Sequence, residues 1–217
     1  LASSAVIGDR QTDMQLAKRI GISGFLLDPA GAFDTTWEGI RSALLSKERY
    51  AKITRETRET KIETIVNLDD PVPVSIRTGI GFYDHMLEQV ATHGGFSLRL
   101  HCNGDLEVDE HHTVEDTAIC LGSALKEALG DKRGITRYGF LLPMDEAEAK
   151  ISIDLSGRAA FRFDGTFTRE NIGALSCEMI PHFFQSLAES LEAAIHIEIH
   201  GNNNHHMAEA CFKSLGR

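Results

Sequence analysis

Two short runs of the chain, His111-His112-Thr113-Val114-Glu115-Asp116 and His205-His206-Met207-Ala208-Glu209-Ala210, share the pattern His-His-x-x-Glu. On a helix, residues three or four apart project from one face, so each run can aim two or three ligating atoms at one point. Neutral imidazole and carboxylate together suit a divalent first-row metal. One such run is a weak signal, because histidines beside a glutamate commonly line a helix surface or hydrogen-bond within a core. Here the run occurs twice, and each has a further His upstream: His85, 26 residues before its pair, and His182, 23 residues before the other. The candidate ligands are therefore His85, His111, His112 and Glu115 from one half, and His182, His205, His206 and Glu209 from the other. Six His and two Glu suffice for two sites with open positions, the arrangement catalysis needs. Such a nitrogen-rich set binds Zn²⁺ or Cu²⁺ more tightly than Mn²⁺ on intrinsic affinity, so the residues leave the metal open. Asp116 and Asp84 are placed either to orient imidazoles from behind or as ordinary acids in a helix's first turn.

The elements that must carry these residues can be read from periodicity. From Ala51 to Val66 the chain alternates with period two and is rich in β-branched residues, which predicts a strand broken by Asp69-Asp70-Pro71. Val72 to Arg77 reads as a second strand closing a hairpin. A helix follows from Phe82 to the stop at Gly94-Gly95, then a strand from Phe96 to Cys102, then the helix of the first His pair, running to about Leu129. The second half repeats the order: strands at Ala149–Leu155 and Ala159–Phe163 turning at Gly157, a helix from Ile180 to about Ala193, a strand at Ile195–His200, and a last helix opening on the second His pair. The expected fold is α+β, an internally duplicated β-β-α-β-α unit with helices on one face of each sheet. The halves span about 51–132 and 133–217. The uncovered sheet faces invite self-association.

Residues 1–50 read differently. Val6-Ile7-Gly8 ends a strand, a helix runs to about Ile20 with Gly21 as its C-cap, and Gly24 to Leu27 reads as a short buried strand. Trp37, Ile40, Leu44 and Leu45 recur at helical spacing in a segment that connects two domains. Because the chain opens on Leu1 and stops at Arg217 within a helical pattern, it reads as a fragment cut at both ends.

Composition narrows the function classes. With 217 residues, 42% hydrophobic and 25% charged, this is an ordinary globular composition. A net charge of −10 with no basic stretch argues against a nucleic-acid surface, yet leaves room for a local cationic pocket. Cys102, Cys120, Cys177 and Cys211 lack C-x-x-C spacing and read as reduced thiols of a cytoplasmic protein. No apolar run of 18 residues and no signal-peptide pattern is present, so no membrane partner is expected.

Several motifs in order then resemble one family. Arg58-Glu59-Thr60 in a first strand, Gly81-Phe82-Tyr83-Asp84-His85-Met86-Leu87, the first His pair, and Glu198-Ile199-His200-Gly201 followed by His205-His206-x-x-Glu209-Ala210-x-Phe212-Lys213 closely resemble imidazoleglycerol-phosphate dehydratases over roughly residues 51–217. The resemblance implies dehydration of D-erythro-imidazole glycerol phosphate to imidazole acetol phosphate in histidine biosynthesis. It also implies two Mn²⁺ ions per active site, a ribosomal protein S5 domain 2-like unit, and trimers built into a 24-subunit homo-oligomer with active sites between subunits. Lewis-acid withdrawal of electrons through the imidazole would make the neighbouring C–H acidic enough for a carboxylate to move its proton.

By position Glu59 matches the family's acid/base glutamate. His112, Glu115 and Glu209 match catalytic metal ligands, and His85 and His93 lie near substrate. Arg137 (in Ile135-Thr136-Arg137-Tyr138-Gly139), Arg158 and Lys213 match contacts to the phosphorylated substrate, where guanidinium and ammonium groups suit a dianion. His101, His196 and His200 fall outside the pattern and read as structural. The family continues past Lys213 with another strand and a Ser-x-Lys phosphate contact, which this chain stops short of.

Upstream, Gly8-Asp9-x-x-Thr12-Asp13 before a helix resembles the last motif of haloacid-dehalogenase-type phosphatases, in which Asp9 would help hold Mg²⁺. The nucleophilic Asp-x-Asp and phosphate-binding Lys of that family are absent. Together the two resemblances imply the bifunctional form, a histidinol-phosphatase domain preceding the dehydratase, with this piece inactive as a phosphatase. A non-catalytic His/Glu metal-binding protein is the alternative. It would need the His clusters but not Glu59, Arg137, Arg158 or Lys213.

Overall fold

The computed structural model describes residues 4–45, 49–132, 135 and 138–217. The chain divides into two compact units, Leu1–Lys47 and Glu48–Arg217. In the first, β1 (Ala5–Gly8) and β2 (Ser23–Leu26) pair in parallel and are joined by α1 (Gln11–Ile20), a small β-α-β crossover. Gly21 ends α1 in the left-handed region, φ 77°, where only a residue without Cβ is unstrained. The expectation of a buried strand at 24–27 is corrected: Gly24 is exposed, and Phe25, Leu26 and Leu27 are half-buried. A 3-10 turn (Phe33–Thr35) precedes α2 (Trp37–Leu45). Ile40 is buried on α2, while Trp37 and Leu44 of the same stripe stay exposed.

The second unit runs β3 (Tyr50–Glu56), β4 (Thr60–Asn67), β5 (Val74–Arg77), α3 (Gly81–Gly94), β6 (Ser97–Gly104) and α4 (His111–Leu129). It continues with β7 (Phe140–Met144), β8 (Ala147–Asp154), β9 (Ala160–Asp164), the short pair β10 (Asn171–Ile172) and β11 (Leu175–Ser176), α5 (Met179–Leu191), β12 (Ala194–His200) and α6 (Asn204–Gly216). Two four-stranded sheets result, in the orders β3-β4-β6-β5 and β7-β8-β12-β9. In both, the first two neighbouring pairs are antiparallel and the last is parallel, closed by a crossover helix.

Two expectations fail here for one physical reason. The alternating stretch 51–66 is not one strand but the hairpin β3–β4, and Val74–Arg77 is not its partner but lies parallel beside β6. Alternation continues through a tight turn, so period two cannot show the break. The turn is held by Thr57, whose Oγ1 accepts the backbone N–H of Glu59 (3.2 Å) and of Thr60 (2.9 Å). Glu59 therefore sits in a turn rather than on a strand. β7 was not foreseen either, so each half is β-β-β-α-β-α rather than β-β-α-β-α.

Inward positions along each strand are buried beneath the helices: Ile62, Thr64 and Val66 on β4, Ala149 and Ile151 on β8, Ile195, Ile197 and Ile199 on β12. α4 lies on β3 and β4, and α6 on β7 and β8. The helices also pack on each other across the halves, α4 on α5 and α3 on α6, so four helices fill the space between two sheets and share one hydrophobic core. Phe183 of α5 stacks on Phe212 of α6 (4.9 Å) and meets Tyr83 of α3 edge-on (5.8 Å), tying the halves through aromatic rings. The outer sheet faces carry ion pairs such as Lys52–Glu63 (2.6 Å) and Lys150–Glu198 (3.2 Å), and His101, His196 and His200 stand exposed there. No helix among the described residues is long and apolar enough to cross a membrane.

Two glycines set how closely the helices approach. A Cβ on Gly122 of α4 would meet Ser190 Oγ at 2.0 Å and the α5 backbone at 3.0 Å; on Gly216 of α6 it would meet the Val90 carbonyl oxygen of α3 at 2.4 Å. Each glycine lies eleven residues after the first His of its pair, close to three turns, so that His and the crossing point share a helix face.

Candidate metal centre

The helix-packing pattern decides which histidines meet. His85 of α3 joins His205 and Glu209 of α6, and His182 of α5 joins His111 and Glu115 of α4; within each trio the ligating atoms lie within 4.8 Å of one another. The trios thus cross the halves, a pairing that the sequence left open. Periodicity tells which residues share a helix face but not which helix that face meets.

In the α3–α6 trio, Glu209 Oε1 lies 3.8 Å from His85 Nε2, and Oε2 lies 3.6 Å from His205 Nε2. In the α4–α5 trio, Glu115 Oε2 lies 3.5 Å from His111 Nε2 and 3.8 Å from His182 Nε2. These separations are too long for good hydrogen bonds and close to the roughly 3.4 Å between two donors that each sit ~2.1 Å from one ion. His182 Nε2 is buried and has no hydrogen-bond partner among the described residues, an atom the fold has desolvated without satisfying. Two imidazoles and a carboxylate per trio fit a divalent cation with positions left open.

His112 and His206, one residue further along each helix, point elsewhere. His112 Nδ1 donates to Asp105 Oδ2 at 3.0 Å, and His206 Nδ1 donates to Glu146 Oε2 at 2.9 Å. A carboxylate only accepts, so in their neutral form both imidazoles carry the proton on Nδ1 and leave the Nε2 lone pair open to a metal. The Asp105 hydrogen bond raises the His112 pKa, helped by the charges of Asp105, Glu59 and Asp109; Glu146 does the same for His206, and is itself lowered by that bond. Asp145 approaches the same His206 Nδ1 at 3.9 Å, adding a second acid around a bond already made.

The carboxylates read as possible imidazole orienters, Asp84 and Asp116, do other work. Asp84 Oδ1 accepts the backbone N–H (2.8 Å) and hydroxyl (2.6 Å) of Thr78, fixing the loop that starts α3. Asp116 accepts from Arg55 Nε (2.8 Å) and from the Thr60 hydroxyl, anchoring the hairpin that bears Glu59 to α4. Asp105 and Glu146 were missed because both sit in turns, where no spacing rule ties them to an imidazole.

Glu59 and Asp105 line one cavity of about 390 Å³. A larger one, about 540 Å³, opens on the first sheet beside Thr54, Arg77 and His101 and holds none of the candidate residues. Lys213 is mostly buried, its Nζ 2.9 Å from Glu209 Oε1, so within one chain it neutralises a cage carboxylate. His93 lies in the last turn of α3, where burial and then the Lys213 and Arg217 charges lower its pKa. Arg158 is exposed in the β8–β9 turn, and Arg137 lies outside the described residues. Asp9 is exposed at the end of β1, 3.9 Å from Arg10 Nε, and belongs to none of the candidate metal groups.

Fold and cages together define a class: an α+β domain whose two like halves cross to build paired His-His-Glu sites. The chain belongs to the imidazoleglycerol-phosphate dehydratase family, whose family model matches residues 78–217. It is 56% identical over 214 residues to a Legionella pneumophila protein named histidine biosynthesis bifunctional protein HisB, covering 99% of this chain and 60% of that one. A protein of the same name from Actinobacillus pleuropneumoniae is 52% identical over 223 residues, covering 100% and 61%. The crystal structure of imidazoleglycerol-phosphate dehydratase from Staphylococcus aureus superposes with TM-score 0.69 at 34% identity, covering 77% of this chain and 96% of that one. The chain thus spans about 60% of the length of the curated relatives it matches.

Proposed function

We propose that the protein bearing this chain dehydrates D-erythro-imidazole glycerol phosphate to imidazole acetol phosphate and water, a step of histidine biosynthesis. The observation that carries the reading is the pair of crossed cages, each with two imidazoles and one carboxylate poised for one ion. Mn²⁺ held by His85, His205 and Glu209, and by His111, Glu115 and His182, with His112 and His206 as further donors, would supply Lewis-acid withdrawal of electrons from the substrate's imidazole.

The chain's own groups do the rest. Glu59, in the turn that Thr57 and Asp116 hold in place, carries the proton between carbon and leaving hydroxyl. Arg137, Arg158 and Lys213 hold the phosphate, and His85 and His93 face the ring. Arg158 is exposed in this chain, which supports sites completed between copies in a homo-oligomer, up to 24 subunits built from trimers. The repeated sheet order supports an internally duplicated, S5 domain 2-like unit. The β1-α1-β2 crossover with Asp9 at a strand end supports the first unit as the tail of a haloacid-dehalogenase-like histidinol-phosphatase domain using Mg²⁺. Four free thiols support a cytoplasmic location.

The test uses the full-length protein, stripped of metal, then given Mn²⁺ and imidazole glycerol phosphate while the keto product is followed. Turnover should require metal and be lost in Glu59→Gln and His112→Ala. Metal binding with no turnover in the intact protein would leave a non-catalytic metal-binding shell.

A further inference from the structure

The two halves hold a glutamate in the same turn and use it differently. The turn joining the first two strands of each half carries Glu59 between β3 and β4, and Glu146 between β7 and β8. Glu146 is fully engaged: Oε2 accepts His206 Nδ1–H at 2.9 Å, and Oε1 accepts the Asn203 backbone N–H at 3.0 Å. The Glu59 carboxylate makes no hydrogen bond or ion pair among the described residues. The difference traces to another loop. Between the last strand and last helix, the first half places Asp105, which takes the Nδ1–H of His112 at 3.0 Å. The second half has Gly201-Asn202-Asn203 there, with no carboxylate, so the hairpin glutamate supplies the acceptor.

We propose that Asp105 and Glu146 are positioning residues that fix His112 and His206 as Nε2 metal donors. Asp105, by taking that task in the first half, leaves the hairpin glutamate Glu59 free to move protons. A half-buried imidazole held through Nδ1 has one ring orientation and one tautomer; without the carboxylate it samples both tautomers and several rotamers, and the Nε2 lone pair is lost to the metal part of the time. The inference deepens the proposed function and rests on its assignment of His112 and His206 to metal.

The experiment titrates the full-length, metal-free protein with Mn²⁺ alone and records affinity and stoichiometry. Asp105→Ala and Glu146→Ala should each bind roughly 10–100-fold more weakly, the cost typical of removing a carboxylate behind a ligating imidazole. Asp105→Asn, which keeps an acceptor, should recover most of the affinity. Saturating Mn²⁺ should restore turnover to Asp105→Ala but not to Glu59→Gln, whose Mn²⁺ affinity should match the parent's. Folded Asp105→Ala and Glu146→Ala with parental affinity would overturn the inference alone. An intact protein that binds no Mn²⁺ would overturn the proposed function and this inference with it. Should one alanine variant not fold, the other decides.

Discussion

Glu209 shares Oε1 between Lys213 Nζ at 2.9 Å and His85 Nε2 at 3.8 Å, with its side chain 9% exposed. A cation entering the α3–α6 cage therefore meets a carboxylate that already has a counter-charge. Replacing Lys213 with Met should leave a buried charge unpaired and destabilise the metal-free protein by roughly 3 kcal/mol. A divalent ion then supplies what the ammonium did, so the gain in melting temperature on adding Mn²⁺ should be larger in Lys213→Met than in the parent. Equal gains, measured by calorimetry with and without Mn²⁺, would show that Lys213 and the ion do not compete. The Glu209–Lys213 pair is an i, i+4 neighbour pair and could be read from spacing; that both side chains are buried could not, because burial depends on which helix covers them.

At the scale of elements, Gly122 and Gly216 set the spacing of α4 on α5 and of α6 on α3. Gly122→Ala would press a methyl group against the α5 backbone, an overpacking that costs about 1–3 kcal/mol. Because Gly122 shares a face with His111 and Glu115, the shift should carry that pair off His182. Gly122→Ala should therefore lose Mn²⁺ at one of two sites and keep the other, while Gly216→Ala should do the reverse; equal weakening of both sites would refute this division. The helices and inner strands were legible from the chain because their apolar periods were long and regular, and the pairs His111–Glu115 and His205–Glu209 were legible because i, i+4 helical spacing alone puts them together. The β3–β4 turn, the placement of β5 beside β6, and the crossed pairing of cages were not, since each is fixed by contacts between elements rather than within one. Asp105 and Glu146 fall in the same class: a turn residue's reach is set by tertiary packing.

For the whole molecule, both cages belong to the unit Glu48–Arg217, and among the described residues no candidate metal group lies in Leu1–Lys47. Mn²⁺ at about 100 times its dissociation constant should stabilise a single site by roughly 2.7 kcal/mol, which for a unit of this size raises its melting temperature by about 5–10 °C. Only the transition of the second unit should move, and a chelator should return it to its starting point. A shift in both transitions would mean that metal also binds the first unit.

The crossing of the cages bears on where such a chain could have come from. A single β-β-β-α-β-α unit holds one lone His on its first helix and one His-Glu pair on its second, and the two helices do not face each other for this purpose; each needs its complement from a unit like itself. A separate unit of this kind would find that complement only in another copy, with its first helix on the other's last and two identical cages related by a twofold axis. Were the two halves copies of one such unit, joining them head to tail would keep both cages and free each to diverge, and Glu59 and Glu146, in matching turns, hold two different occupations.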